Sequence, residues 1–325
     1  MEEVIQVPKA KLNSGHQMPL LALGTCSSSP QNPDQLTSIL IRAIEMGYRH
    51  FDTAVVYGSE EALGRAVAAA VERGVVASRD ELFITTKLWC TETEHHLVVP
   101  ALKRSLGRLG LDYVDLYLVH WPLRMKDAKE SLVVTTENII PFDMKGTWEG
   151  MEECHKLGLA KSIGVSNFTS TKISKLLQNA TIPPAVNQVE MSVAWQQGGL
   201  LKFCGEKGIH VSAWSPLGNL GAGFWGSHGI LEIPLLQDIA QAKHKTIAQV
   251  ALRWVYQKGA SVIVKSFNKE RMKENLHIFD DDCELNDEEM VKIQQLPQCR
   301  GFKGEVFVHS NGPYKSVEEL WDGDI

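Results

Sequence analysis

The sequence predicts an α/β fold: a (β/α)8 TIM barrel that occupies residues 1–325 as one domain. Eight short, nearly continuous apolar segments rich in Val, Ile, Tyr and Phe indicate parallel strands covered on both faces. Segments with the period of an amphipathic helix alternate with these strands. The composition does not change along the chain, which favours closure into a barrel over an open doubly wound sheet.

The elements follow one another in a regular order. A small N-terminal β-hairpin is expected first, because residues 5–12 lead into the turn-forming residues 13–16. The predicted barrel strands are 20–23, 49–54, 82–88, 115–120, 162–167, 185–190, 210–217 and 261–266. The predicted helices are 34–46, 60–73, 97–109, 145–157, 170–179, 196–207, 234–244 and 246–257, and the last two both precede the final strand.

Three segments are longer than a barrel requires. They are 121–144, 218–230 and the C-terminal tail 299–325. Long segments without a clear period in a compact domain are usually functional loops, so we expect them at the C-terminal rim of the barrel.

Charge and cysteine content exclude several classes of partner. Lys and Arg total 33 against 39 Asp and Glu, a net charge of −6 that disfavours nucleic acid and anionic membranes. The six cysteines are scattered without a C-x-x-C motif, and the acidic N-terminus lacks the pattern of a signal peptide. We therefore expect a reduced, cytoplasmic protein, and without a heptad or an exposed apolar helix we expect a monomer.

Polar side chains end nearly every predicted strand, at the rim where such barrels carry their active sites. Asp52, Lys87 and His120 end the second, third and fourth strands, and Tyr57 follows the second. Lys87, kept charged by Asp52, would lower the pKa of Tyr57, which would then give a proton to a forming alkoxide while His120 orients the carbonyl. Taken singly, each residue is more often structural, but together they predict carbonyl reduction.

Carbonyl reduction of this kind requires a hydride donor. No G-x-G-x-x-G motif opens a βαβ unit, so a Rossmann site is not expected. Lys265 and Arg271 place two cations around the last strand, where barrels often bind phosphate, and they favour NADPH over NADH. Trp214 is a candidate to stack on nicotinamide, although core packing would explain it equally well. No metal-binding motif is present, so no metal is expected.

Three segments resemble the signatures of the aldo-keto reductase family. They are 47–54 with Tyr57, 161–168, and 264–266 with Arg271, Glu274 and Asn275. The likeness extends from about residue 12 to the C-terminus. It is greatest to the plant branch, which contains codeinone, methylecgonone, chalcone (polyketide) and galacturonate reductases.

The resemblance implies that NADPH lies extended across the top of the barrel, beside a catalytic tetrad of Asp52, Tyr57, Lys87 and His120. It implies that Ser166, Asn167 and Gln188 hold the carboxamide and that Trp214 stacks on the nicotinamide. The remaining cofactor contacts that it implies are Gly24, Thr25, Asp52, Ser215, Leu217, Lys265, Ser266, Phe267, Asn268, Arg271, Glu274 and Asn275.

The expected substrate site is aromatic. Its expected residues are Val56, Tyr57, Trp89, His120, Trp121, Trp225 and Phe302. Such a wall predicts a cyclic or hydrophobic carbonyl substrate, for example an alkaloid or phenolic ketone of the codeinone or methylecgonone type. Three different functions stay open: reduction of a sugar acid such as galacturonate, reduction of a chalcone-type polyketide that requires a synthase partner, and non-catalytic nucleotide binding as an auxiliary protein.

Overall fold

The computed structural model describes residues 5–27, 32–126, 136–218 and 229–325. Trp225 and parts of the expected loops 121–144 and 218–230 lie outside the described residues. The strands in the described ranges are β1 (Lys9–Lys11), β2 (Gln17–Pro19), β3 (Leu21–Gly24), β4 (His50–Asp52), β5 (Phe83–Leu88), β6 (Val114–Val119), β7 (Arg124–Met125), β8 (Ile139–Ile140), β9 (Ala160–Ser166), β10 (Val186–Glu190), β11 (His210–Trp214) and β12 (Ser261–Val264).

The helices surround these strands. They are α1 (Pro33–Glu45), α2 (Glu60–Glu72), α3 (His95–Leu109), α4 (Met144–Lys156), α5 (Ser170–Leu177), α6 (Gly198–Glu206), α7 (Pro234–Lys243), α8 (Ile247–Gln257), α9 (Lys269–Leu276), α10 (Asp287–Gln294) and α11 (Val317–Trp321). No helix in the described ranges is long and apolar enough to cross a membrane.

Eight parallel strands form a closed barrel in the order β3-β4-β5-β6-β9-β10-β11-β12. The ring closes between β12 and β3, where Val262 pairs with Leu21 and Val264 with Leu23. The predicted (β/α)8 barrel is confirmed, and the open doubly wound sheet is excluded because such a sheet leaves its two edge strands unpaired.

The N-terminal hairpin covers the end of the barrel away from the C-terminal rim. β1 and β2 pair in antiparallel orientation, and Leu12 and Met18 bury their side chains in a cluster with Leu116 and Val186. The turn is fixed to the barrel by Asn13, whose Nδ2 donates to the Pro184 carbonyl at 2.9 Å. The hairpin is thus confirmed, although its first strand begins at Lys9 rather than at residue 5.

Some boundaries differ from the predicted ones. β11 ends at Trp214 rather than 217, because Ser215 has a φ of 49° that breaks the extended backbone. The tail, expected to be a loop, ends in the short helix α11. The two-residue strands β7 and β8 and the helix α10 were not predicted, since segments this short or this polar carry little periodicity.

Gly164 shows how closely the barrel strands approach one another. A Cβ at this position of β9 would lie 2.5 Å from the Val186 carbonyl oxygen and 2.8 Å from Leu118 Cδ2. Since real contacts of a Cβ are longer than 3.0 Å, only glycine fits here. Gly164 therefore allows β9 to lie close to β6 and β10, the strands on either side of it in the barrel.

Two histidines of the barrel strands, the buried His50 and the half-buried His210, are held in the neutral form. Within the barrel His50 lies 3.0 Å from both the Pro19 carbonyl and Thr85 Oγ1, and burial lowers its pKa below the usual 6.5. Desolvation likewise lowers the pKa of His210 to about 4. The unfolded chain therefore binds more protons than the folded chain in mildly acidic solution.

We expect the free energy of unfolding to fall by about 1 kcal/mol per such histidine between about pH 6.5 and 5.5, where carboxylates hardly titrate. Urea denaturation across this interval measures the effect. His50→Gln keeps an amide for Thr85 but cannot titrate, so this variant should lose less stability over the same interval. A wild-type stability that does not change from about pH 7.5 to 5.5 would contradict the account.

Candidate active site

One cavity of about 770 Å³ opens at the C-terminal ends of the barrel strands. Its walls include residues from the first to the last barrel strand and from α9. The predicted site residues that line it are Gly24, Asp52, Tyr57, Trp89, His120, Trp121, Ser166, Asn167, Gln188, Trp214, Ser215, Leu217, Lys265, Ser266, Phe267, Asn268, Arg271, Glu274 and Asn275. Three of the four residues expected to perform chemistry, Asp52, Tyr57 and His120, therefore share one cavity with those expected to hold the far end of a cofactor.

Lys87 and Asp52 form a buried ion pair at the base of this cavity. Lys87 Nζ donates to Asp52 Oδ1 at 2.6 Å and to the Thr53 carbonyl at 3.0 Å. The side chain of Lys87 is 0% exposed and that of Asp52 is 5% exposed. In this environment of low dielectric constant each charge depends on the other, since an unpaired buried charge is costly.

Tyr57 lies directly above this ion pair. A short 3-10 turn, Val55–Tyr57, follows β4 and ends at Gly58, whose φ of 64° suits glycine. The turn brings the Tyr57 hydroxyl to 3.4 Å from Lys87 Nζ and to 3.3 Å from His120 Nε2. The four residues expected to form a tetrad are thus in contact in the structure.

The electrostatics of Tyr57 differ from the expected ones. Burial raises the pKa of Tyr57 well above 10, and Cys26 and Asp52 raise it further. The expectation that Lys87 lowers this pKa is wrong, because desolvation dominates and the carboxylate of Asp52 opposes the charge of Lys87. The phenol is therefore neutral and holds a proton at neutral pH.

His120 is also neutral. Burial, assisted by the charge of Lys87, lowers the pKa of His120 well below 6.5. Its ring packs edge-on to Tyr57 and to Trp89, with centroid distances of 5.6 Å and 5.2 Å. A neutral imidazole beside the Tyr57 hydroxyl is suited to hydrogen-bond an oxygen atom without competing for the proton.

Amide and hydroxyl groups connect the tetrad to the next strands. Gln188 Nε2 donates to Asp52 Oδ2 at 2.8 Å, and Asn167 Nδ2 donates to the His120 carbonyl at 3.0 Å. Trp214 Nε1 donates to Asn167 Oδ1 at 3.0 Å, and Ser166 Oγ donates to the Gln188 carbonyl at 2.7 Å. Asn167 has a φ of 63°, a strained value that this set of hydrogen bonds supports.

The opposite end of the cavity is cationic. Lys265 follows β12, and Arg271 lies in the first turn of α9, whose N-cap Asn268 accepts from the Arg271 backbone N–H at 3.0 Å. Lys265 Nζ lies 4.7 Å from the centre of the Phe267 ring. A flat indole and amide donors at one end, with two cations at the other, match the chemistry of a nicotinamide joined to a phosphorylated adenosine.

Several predicted residues do not line the cavity. Lys87 lies beneath Tyr57, and Thr25 is buried with its Oγ1 2.6 Å from Ser59 Oγ. Val56 and Phe302 were expected to contact substrate, but neither lines the cavity, and both are buried in the apolar cluster that includes Trp121. The centre of the Phe302 ring lies 5.3 Å from that of Trp121, which does line the cavity.

Three further residues that line the cavity were not predicted from the sequence. Phe307 in the tail lines the cavity 4.8 Å from the Trp121 ring, and Cys26 and Leu231 line other parts of it. The tail was predicted to reach the rim, but apolar residues in a segment without periodicity do not reveal which of them face inward.

Comparison with known proteins gives a consistent result. The model of the aldo/keto reductase family matches residues 20–298. The chain is 57% identical to Rhazimal reductase 2 of Alstonia scholaris and 54% identical to Protein REDOX 2 of Catharanthus roseus, in each case over 100% of both chains. It also resembles an aldo-keto reductase of Bombyx mori whose crystal structure is in complex with NADP, with a TM-score of 0.82, 40% identity and coverage of 90% of this chain and 93% of that one.

The buried ion pair leads to a prediction about stability. We expect Lys87→Met to lower the free energy of unfolding by about 3–5 kcal/mol, because Asp52 would be left as an unpaired buried charge. Adding Asp52→Asn should recover part of this loss in urea denaturation. The control Lys145→Met removes an exposed pair with Glu149, 3.7 Å apart, and should cost about 0.5 kcal/mol or less. If Lys87→Met and Lys145→Met lowered the free energy of unfolding by the same amount, the account would be contradicted.

Proposed function

The chain belongs to the aldo/keto reductase family and is an NADP(H)-dependent oxidoreductase, and from this membership we propose that it reduces the carbonyl group of a cyclic or hydrophobic plant metabolite. The relatives of 57% and 54% identity are plant proteins, and the first of them is named as a reductase. The observation that carries the proposal is the single cavity that joins Tyr57 and His120 to Lys265 and Arg271.

The cofactor, when bound, supplies a hydride to the carbonyl carbon of the substrate. In the proposed mechanism Tyr57 donates its proton to the carbonyl oxygen as negative charge develops there. Lys87, 3.4 Å away, stabilises the phenolate that Tyr57 becomes, and Asp52 holds Lys87 in place through their 2.6 Å ion pair. His120 donates a hydrogen bond from Nε2 to the same oxygen and fixes the orientation of the carbonyl.

Other residues hold the cofactor in this proposal. Ser166, Asn167 and Gln188 supply the polar groups for the carboxamide, and Trp214 supplies a flat surface for the ring. Lys265 and Arg271 bind the phosphate of the adenosine ribose. The hydrogen bond between Gln188 and Asp52 links the carboxamide subsite to the tetrad.

The substrate end supports a hydrophobic substrate. Trp89, Trp121 and Phe307 line it with large apolar surfaces. Within the described ranges, the lysines and arginines that line the cavity are Lys265 and Arg271, both at the adenosine end. A sugar acid such as galacturonate therefore lacks a cation for its carboxylate among these residues, which favours an alkaloid or phenolic ketone.

Nucleotide binding without catalysis and reduction of a polyketide receive less support. A non-catalytic nucleotide-binding protein has no need for Tyr57 to contact both Lys87 and His120. A chalcone-type reductase would need a synthase that supplies a transient polyketide. We propose a cytoplasmic location, in keeping with six free cysteines. We also propose a monomer, because the sequence shows no heptad repeat.

Tyr57→Phe tests the proposed acid. We expect this variant to lose carbonyl reduction by about 100-fold or more, since it has no proton to donate, while the Kd for NADPH changes by about 2-fold or less. NADPH oxidation with a hydrophobic ketone, galacturonate and 4-nitrobenzaldehyde measures the reaction and ranks the substrate classes. Undiminished reduction by Tyr57→Phe would refute the acid assignment, and a preference for galacturonate would refute the substrate class.

Arg271→Leu tests the adenosine end. We expect the Kd for NADPH to rise by about 10–100-fold, because a charge-assisted contact with the extra phosphate is lost, while the Kd for NADH hardly changes. Lys269→Leu is the matched control, since this cation lies two residues earlier in α9 and does not line the cavity. Fluorescence titration with each nucleotide measures both constants, and an equal loss for NADPH and NADH would contradict the assignment.

A further inference from the structure

We propose that Glu190 and Arg300 are positioning residues, which hold the start of the C-terminal tail against the substrate end of the cavity and so set the preference for large substrates. This inference rests on the proposed function. It concerns two buried charged residues that do not line the cavity, and to which the proposed reaction gives no task.

Glu190 binds the tail backbone with both oxygen atoms of its carboxylate. It is the last residue of β10 and is 4% exposed. Its Oε1 accepts from the Gly301 N–H at 3.0 Å, and its Oε2 accepts from the Phe302 N–H at 3.0 Å. Hydrogen bonds to a buried carboxylate are stronger than neutral ones, so this residue fixes where the tail leaves the barrel.

Arg300 fixes the same point from the other side. Its guanidinium lies between two indoles, 4.6 Å from the centre of the Trp195 ring and 3.7 Å from that of Trp321. It also donates to the Asp324 carbonyl at 2.7 Å. Arg300 therefore joins the beginning of the tail to its end, and holds Trp321 in place by stacking.

Of the held residues, Phe307 forms part of the substrate wall, and Phe302 and Trp321 pack against it. Phe302, Phe307 and Trp321 lie 5.3, 4.8 and 6.1 Å from the Trp121 ring, measured between ring centres. Trp121 and Phe307 line the cavity. A shift of the tail would therefore move the aromatic surface that a large substrate contacts. It would leave Tyr57, Lys87 and Asp52 in place, because these residues belong to the barrel strands and the turn after β4.

The far end of the tail has its own attachment to the barrel. Lys172 of α5 donates from Nζ to the Leu320 carbonyl and to Asp322 Oδ2, both at 2.7 Å. Because this attachment does not involve Glu190, loss of the Glu190 contacts should loosen the tail near residue 301 without releasing it completely. The expected consequence is a change in substrate preference rather than a loss of the fold.

Glu190→Gln is the test, because it keeps the shape of the side chain but replaces one acceptor by a donor. We expect kcat/KM for 9,10-phenanthrenequinone, a three-ring substrate, to fall about 10-fold through KM, while the value for propanal and the Kd for NADPH change about 2-fold or less. Hydrogen exchange of the peptide 299–325 should accelerate. Arg300→Lys keeps the charge but cannot stack between two indoles, so it should also lower kcat/KM for the three-ring substrate and accelerate tail exchange. This variant replaces Glu190→Gln in the test if Glu190→Gln does not fold.

Glu152→Gln provides a matched control. Glu152 is also 4% exposed, and its Oε1 accepts from the N–H groups of Thr181 and Ile182 at 2.6 and 2.9 Å, far in sequence from the tail. We expect this variant to lose comparable stability with no change in the ratio of the two kcat/KM values or in tail exchange.

The outcomes separate the two claims. The positioning role would be overturned if Glu190→Gln lowered kcat/KM equally for 9,10-phenanthrenequinone and propanal. It would also be overturned if hydrogen exchange of the tail accelerated while the ratio of these two kcat/KM values stayed unchanged. The same change of ratio in Glu152→Gln would also overturn it, because the effect would then follow from stability alone. If the wild type reduced neither carbonyl, the proposed function would fail, and unaltered tail exchange in Glu190→Gln would still overturn the proposed anchor.

Discussion

The ion pair between Lys87 and Asp52 is the constraint on which the rest of the site depends. Two charges removed from water require each other, and their 2.6 Å contact fixes the relative positions of β4 and β5. The same pair positions an ammonium beneath the Tyr57 hydroxyl without leaving a net charge there. In the proposed mechanism Tyr57 is a neutral acid that meets a cation as soon as it gives up its proton. The stabilisation therefore acts mainly on the state in which charge has developed.

The barrel brings this chemistry and its cofactor together by topology. Parallel strands deliver their C-terminal ends to one rim, so residues more than 200 positions apart, such as Asp52 and Lys265, line one cavity. The hairpin β1–β2 closes the opposite end of the barrel. On the substrate side, the tail adds Phe307 to a wall that the barrel strands alone do not complete.

Much of this architecture was predictable from the sequence, because apolar periodicity and strand-end polar residues are local signals. The barrel was predicted in that way, and so was the grouping of Asp52, Tyr57 and His120 at one rim, whereas most of the proposed cofactor contacts came from the family resemblance. The pKa of Tyr57 was not, since burial is a tertiary property and here outweighs the neighbouring cation. Val56 and Phe302 pack in an apolar cluster rather than line the cavity. Phe307 and the tail contacts of Glu190 were not predicted, because only the folded tail determines which of its side chains face the cavity.

The protonation state of Tyr57 tests the central claim most directly. Carbon-13 NMR of protein labelled at the tyrosine Cζ, with Tyr57 assigned from Tyr57→Phe, follows the ionisation of this phenol as pH rises. The account predicts that the Tyr57 signal in the cofactor-free protein remains that of a neutral phenol up to at least about pH 10. A phenolate at Tyr57 near neutral pH would contradict it, because the residue would then hold no proton to give.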